Sequence, residues 1–312
     1  MFNLVKKFWL VIFMICSFIF ILNYLLEQAV HISKPLYFSW IFFFSMILFT
    51  ILFWITASFT WKYLLSITCN VYITLFQSFS QLVLVSIGKY IPGKIWGIIA
   101  RGTQLKKLGI DVKKIFVTSI QEQILLIHAS VIISSISIIF LIETNWAYLL
   151  MIIILLSGFI GKYIQRFLIA TYNLLMNYLK KNIIEVKEII TQQNYLSLLV
   201  FYMMIWILSG LIFSGIYFVF ITQNELNLTI IVWMILANTI SITLGFFALF
   251  APAGIGVRES VSSIILSQIM PLEQAIFLSL LFRFWIVLTE LSLGMIIGYL
   301  LGKNIFKKHS VE

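Results

Sequence analysis

The sequence predicts an all-α polytopic membrane protein. We expect about eight transmembrane helices plus two broken or re-entrant segments arranged as an inverted repeat. Three observations predict it. The chain is 62% hydrophobic and only 10% charged, whereas a soluble domain carries about 25% charged residues. Its apolar runs reach the roughly 20 residues that span a bilayer, and they recur along the whole length. Two of those runs are interrupted by Pro and Gly beside charged residues, at Lys89-Tyr-Ile-Pro-Gly-Lys-Ile-Trp-Gly97 and at Phe250-Ala-Pro-Ala-Gly-Ile-Gly-Val-Arg-Glu259. No segment is polar enough for a separate soluble domain, so residues 1–312 read as one integral-membrane domain.

The formal net charge of +10 points to the bilayer and away from nucleic acid. The basic residues sit in loops between apolar runs, which is the positive-inside pattern. It places both termini on the cytoplasmic side of a cell membrane. Cys16 and Cys69 lie within apolar runs and read as small buried hydrophobes.

A first span, about 8–26, follows Lys6 and Lys7 and is too long for a secretion signal. A second runs from about Leu36 to Trp61 and Lys62. A third, about 63–87, carries Asn70, Gln77, Ser78, Ser80 and Gln81, which directs one face inward. After the first break a short segment ends at Lys106 and Lys107. About a dozen residues cannot cross a bilayer as one helix, so this segment starts near mid-membrane or dips in as a loop. The fourth span, about 115–141, holds Gln121, Glu122, Gln123 and His128. The fifth runs about 146–161. Residues 162–195 mix Lys180, Lys181 and Lys187 with Glu and apolar residues, an amphipathic stretch suited to the cytoplasmic membrane face. The sixth span covers about 196–222, and the seventh runs from about Leu228 toward Pro252. A short apolar segment, 257–269, precedes a turn at Pro271 and Glu273. The last span, about 275–301, carries Arg283 and Glu290.

The two breaks share an order of elements. Each has a run, a Pro-Gly interruption, a short segment, a turn, and a long span opening near an Ile-Phe pair, Ile115-Phe116 in one and Ile276-Phe277 in the other. The charge rule gives the two units, about 63–142 and 228–301, opposite orientations. Matching interrupted helices in oppositely oriented halves mark transporter sites at the membrane midplane. Simple kinks of ordinary spans are the plainer alternative.

If each short segment is a half-helix, its N-terminus offers free amides and the positive end of a dipole inside the membrane. Lys94 stands at the first such end and Arg258 at the second, so the site suits an anion such as a lipid phosphate. The candidate substrate-binding set is Pro92, Gly93, Lys94, Arg101, Pro252, Gly254, Gly256, Arg258 and Glu259. Glu122, Arg283 and Glu290 form a candidate intramembrane charge network. In it Arg283 and Glu290 pair with Glu259 or Glu122, or Glu122 carries a coupling proton. His128 reads as a hydrogen-bonded helix contact. No phosphate loop, zinc motif or catalytic signature occurs, so neither a catalytic residue, a metal nor a cofactor is expected. The reading is a transporter, with an embedded enzyme on the same carboxylates as the alternative.

The Pro92-Gly93 and Gly97 break, and above all Pro252-Ala-Gly-Ile-Gly-Val-Arg-Glu259, resemble the flippase-like transmembrane domain of bacterial lysyl-phosphatidylglycerol synthases. The resemblance covers nearly the whole chain. In the family the second motif commonly reads Pro-Gly-Gly-Leu/Ile-Gly followed by Glu, and here Ala253 replaces one glycine. The resemblance implies translocation of an anionic phospholipid or polyprenyl-phosphate-linked glycan, with no aminoacyl transfer by this chain. It implies a membrane lipid or lipid-linked glycan as partner, and envelope-biosynthesis proteins beside it. An accessory scaffold for envelope polysaccharide assembly is a third reading. A short chain of this kind also suits a homodimer.

Overall fold

The computed structural model describes residues 38–90, 96–141, 156–178, 190–221, 226–248 and 251–309, together with Asn23, Leu149, Ile152 and Ile154. The expected first span, apart from Asn23, and nearly half of the fifth lie outside these residues. Among the described residues every regular element is a helix. We number them α1 (Trp40–Cys69), α2 (Leu75–Gly88), α3 (Trp96–Lys107), α4 (Val112–Leu141), α5 (Gly161–Tyr178), α6 (Gln192–Phe220), α7 (Leu228–Phe247), α8 (Val257–Leu266) and α9 (Leu272–His309). Five of them, α1, α4, α6, α7 and α9, are long and apolar enough to cross a membrane.

The boundary between the second and third expected spans is corrected. Trp61-Lys62 is not a loop: α1 continues through it, and Trp61 is buried. The chain turns instead at Asn70, whose left-handed φ of 52° ends α1. Helix α2 then starts at a capping box in which Thr74 and Gln77 satisfy each other's backbone amides, at 3.1 and 2.9 Å. The polar residues expected on one inward face therefore divide. Asn70 and Gln77 are exposed at the turn, whereas Ser78, Ser80 and Gln81 are buried. Gln81 accepts from the Trp61 indole at 2.8 Å, tying α2 to α1.

Helices α1 and α6 form the central antiparallel pair. Ser39 donates its amide to Val219 O, Phe42 stacks on Phe218, Met46 meets Gly215, and Phe59 meets Phe201. The partner number falls as the α1 number rises, so the C-terminal end of α1 lies opposite the C-terminal end of α6. Helix α2 leaves from the first of these ends and α7 from the second. Each turns back on itself, α2 into α3 and α7 into α8, giving two hairpins inserted from opposite ends of the bundle. At 1.5 Å per residue α2, α3 and α8 rise only about 15 to 21 Å, so none crosses the roughly 30 Å hydrocarbon layer. The chain is thus built from long helices that brace two hairpins, in each of which the returning helix is too short to cross.

The two units also pack reciprocally. The first helix of one lies against the last helix of the other, α2 on α9 and α4 on α7. The α4–α7 seam is polar, with Ser134 donating to Thr239 and Thr243 donating to Ser130, both at 2.9 Å. Such bonds are worth about 0.6 kcal/mol each inside a bilayer. Helix α5 follows a short 3-10 turn at Gly158–Ile160. It exposes Tyr163, Phe167 and Leu174 along one stripe, as an interfacial helix does.

The first hairpin closes on glycine. A Cβ on Gly88 would lie 2.2 Å from Gly97 Cα, and one on Gly97 would lie 2.6 Å from Val85 Cα. Both obstacles are backbone, so neither can rotate away. Gly97→Val should therefore separate α2 from α3 and cost on the order of 1–3 kcal/mol. Thermal unfolding of the detergent-purified variant should show a midpoint several degrees lower, and an unchanged midpoint would contradict the packing described.

Candidate functional site

The tips of the two hairpins meet. Lys89 and Tyr90 follow directly on α2, and the second tip is the 3-10 turn Pro252–Gly254. The Ala253 amide donates to the Lys89 carbonyl at 3.1 Å, a backbone bond from one tip to the other. Ala253 packs with Tyr90 and Val287 in one buried cluster. Arg283, from α9, donates to the Ala253 carbonyl at 3.2 Å and lies 5.6 Å from the centre of the Tyr90 ring. Glu290, two turns further along α9, accepts from Lys89 Nζ and, at 2.8 Å, from the Tyr90 hydroxyl. Both tips are thus fastened to the same face of α9.

The second break owes its shape to three closely spaced departures from helical geometry. Ala253, Gly254 and Gly256 all have positive φ, at 51°, 72° and 84°. Glycine adopts these values freely, whereas alanine is strained there by roughly 1–2 kcal/mol. That is the physical reason a glycine suits position 253. The Ala253 methyl is buried against Tyr90 and Val287, which offsets part of the strain. Gly254 is needed twice over, because a Cβ there would lie 3.0 Å from Gly245 Cα and 2.8 Å from Arg258 Nε. A Cβ on Gly245 would lie 2.5 Å from Arg258 Cγ. The Arg258 side chain therefore runs along a trough left by two absent side chains, Gly245 on α7 and Gly254 at the tip.

Three ion pairs hold the centre. Arg101 donates to both oxygens of Glu122, at 3.2 and 2.7 Å, and to Ser119 at 2.9 Å. Its guanidinium stacks 3.7 Å from the Trp61 ring centre, fully buried. Arg283 lies 3.6 Å from Glu259, whose other oxygen caps the α8 N-terminus by accepting from the Gly256 amide at 2.7 Å. Lys89 pairs with Glu290. Each unit thus links its short helix to the long span that follows by one Arg–Glu pair, with the charges exchanged. Glu122 and Arg283 both stand seven residues after the isoleucine of the Ile-Phe pair. Arg258 is the exception. Among the described residues no carboxylate lies within ion-pair distance of it, and its Nε is buried without a hydrogen-bond partner.

A cavity of about 300 Å³ lies beside this junction. Lys89, Arg258, Glu290 and Glu122 line it, and most of the remaining wall is apolar, including Phe53, Trp54, Leu126, Trp206, Phe282 and Trp285. A wider groove of about 670 Å³ adjoins it between α1, α2 and α9. Thr50, Trp54, Trp285 and Thr289 border both spaces. The combined shape is a small charged pocket continuous with an apolar cleft.

The structure sorts the candidate residues as follows. Pro252, Gly254, Gly256, Arg258, Glu259, Arg283 and Glu290 lie at or beside the second tip. Pro92, Gly93 and Lys94 lie outside the described residues. Arg101 stands apart, locked onto Glu122, and only Glu122 of that pair reaches the cavity wall. Of the pairings weighed for α9, Arg283 takes Glu259, while Glu290 takes Lys89 in place of Glu122. The α8 amides are partly committed, since Gly256 donates to Glu259 and Ala253 to Lys89. His128 is a helix contact, bonded to Tyr195 at 2.7 Å and Ser157 at 2.8 Å. Lys89, Tyr90 and Gly245 were not singled out beforehand. The only available signal was that Lys89 opens the first motif.

Fold and site together define a class: a multi-pass membrane protein with paired re-entrant hairpins whose tips meet at a charged, apolar-walled cavity. A family model described as "Lysylphosphatidylglycerol synthase TM region" matches residues 37–294, and the chain belongs to that family. Comparison with curated proteins and with solved structures finds no match. Membership supports a membrane lipid-related function.

The Arg101–Glu122 pair yields a prediction about stability. Removing one partner of a buried pair strands a charge and costs about 3–5 kcal/mol, whereas replacing both by apolar groups is often nearly neutral. Arg101→Met alone should sharply reduce the monodisperse fraction on size exclusion. Arg101→Met combined with Glu122→Met should restore most of it. A double variant as poor as the single one would mean that the pair is not the reason.

Proposed function

We propose that this protein translocates an anionic lipid across the membrane, a phospholipid or a polyprenyl-phosphate-linked glycan, and holds its phosphate at the hairpin tips. The observation that carries the reading is Arg258, a guanidinium on a largely apolar cavity wall that, among the described residues, has no carboxylate within ion-pair distance. An uncompensated charge in such surroundings is expensive, and its retention is accounted for by an anion that occupies the site for part of a cycle. Lys89 on the facing tip is a quarter exposed and adds a second donor. The adjoining apolar groove offers hydrocarbon-compatible space for acyl or prenyl chains, so only the headgroup needs to cross on protein.

The hairpin architecture supplies the rest of the reading. Two re-entrant units entering from opposite ends give each side of the membrane an equivalent approach to the tips. Rocking of one hairpin against the other would expose the cavity first to one side and then to the other. The tip contacts, Lys89 with Ala253 and with Glu290, would break and reform in each cycle. Transfer chemistry fits the site less well. Each wall carboxylate is already engaged by a cation partner.

Arg258→Gln tests the proposal in proteoliposomes. Wild type should accelerate transbilayer movement of fluorescent anionic lipid over that of a zwitterionic one. The variant should lose about tenfold or more of that rate, on the order of 1.4 kcal/mol, with its unfolding midpoint unchanged. Arg258→Lys, which keeps the charge without the fork, should fall between them. Undiminished flipping by Arg258→Gln at equal protein level would sink the proposal.

A further inference from the structure

The charge balance of the cavity restricts what the headgroup can carry besides its phosphate. The described carboxylates at the junction are Glu122, Glu259 and Glu290, and each is engaged, by Arg101, Arg283 and Lys89 respectively. Both oxygens of Glu122 accept from Arg101, so its charge is neutralised where it reaches the cavity. The remaining polar groups on the wall are uncharged, among them Ser86, Gln123, Tyr202 and Ser209. The Tyr202 hydroxyl is buried without a hydrogen-bond partner, and Tyr202 stands on the α6 side of the cavity, away from the hairpin tips. Among the described residues at the junction one positive charge is in surplus, that of Arg258, and no negative charge is.

We infer that the cargo is a lipid phosphodiester whose headgroup beyond the phosphate is uncharged and hydroxyl-bearing, and that a cationic aminoacyl headgroup is discriminated against. The inference rests on the phosphate reading of Arg258 and goes beyond it. A monoanionic phosphodiester matches the single surplus cation. A hydroxylated headgroup finds the neutral donors and acceptors of the cavity wall, Ser86, Gln123 and Ser209 among them. An aminoacyl headgroup would bring ammonium groups into a pocket already one positive charge in excess. Like charges brought together without solvent are repelled, which is how a site rejects the wrong partner. Two lipid sources share the favoured chemistry: a glycerol headgroup on a phospholipid, and a sugar on a prenyl phosphate.

The experiment is a binding titration by native mass spectrometry on the delipidated full-length protein. Its probes are short-chain phosphatidylglycerol, phosphatidylmethanol, lysylphosphatidylglycerol and a prenyl-phosphate hexose. Phosphatidylglycerol or the prenyl-phosphate hexose should bind at least about tenfold tighter than lysylphosphatidylglycerol, and whichever is tighter identifies the source. Arg258→Gln should abolish that preference and Arg258→Lys should retain most of it. Phosphatidylmethanol, which keeps the phosphodiester and lacks hydroxyls, should bind several-fold more weakly than phosphatidylglycerol. Lysylphosphatidylglycerol binding as tightly as phosphatidylglycerol, with Arg258 still required, would overturn the inference and leave the phosphate reading standing. Equal binding of phosphatidylmethanol and phosphatidylglycerol would overturn the hydroxyl requirement. Binding indifferent to Arg258 for every probe would overturn the phosphate reading and this inference with it.

Discussion

The contact between the two hairpin tips is the constraint on which the rest depends. Inside hydrocarbon there is no water to satisfy a backbone that leaves its helix, so a re-entrant turn survives only where protein supplies the missing partners. Here each tip supplies them to the other. The Ala253 amide finds the Lys89 carbonyl, the Ala253 carbonyl finds Arg283, and Lys89 finds Glu290. Neither hairpin could end where it does without its counterpart. The surrounding long spans therefore have to hold the two hairpins at one depth, and the antiparallel α1–α6 pair, from which both depart, fixes that depth.

Close approach is the second requirement, and glycine meets it in two different ways. At Gly88 and Gly97 the backbone dihedrals are ordinary and what matters is the missing Cβ, which lets α2 and α3 touch along their main chains. At Gly254 the missing Cβ and the positive φ are both used, one to turn the chain and one to leave room for Arg258. The second tip is accordingly the more specialised of the two. It combines a strained turn, a half-buried cation and a helix capped by its own glutamate within eight residues, Pro252 to Glu259.

Charge enters this interior in pairs because the membrane permits little else. The Arg101–Glu122 and Glu259–Arg283 pairs occupy matching places in the two units with their signs exchanged. An ion pair is symmetric in its energetics, so exchanging the signs conserves the link between short helix and long span. Arg258 has no counterpart in that scheme. Among the described charges at the junction, one cation without a carboxylate partner where the others are paired separates the part of the network that binds the fold together from the part left for a ligand.

Much was legible in the sequence because it depends on local composition. Apolar run length marked α1, α4, α6, α7 and α9, and the Pro-Gly interruptions marked both breaks, since neither residue type continues a helix smoothly. The clustering of Arg258 and Glu259 with Gly254 was likewise visible, being contiguous in the chain. Composition failed at Trp61-Lys62, where a bulky aromatic and a lysine mimic a loop. What keeps that stretch helical is Arg101, forty residues away, stacking on the Trp61 ring, and no local pattern encodes it. Lys89 and Tyr90 were missed for the same reason, because their partner Glu290 lies at the far end of the chain. By itself the sequence determined which segments prefer lipid and where helices must break, for these follow from transfer energies and backbone freedom along the chain. Only the tertiary structure decided which charges neutralise one another, and hence that Arg258 alone is left over, because pairing depends on distances between residues that the chain does not place side by side.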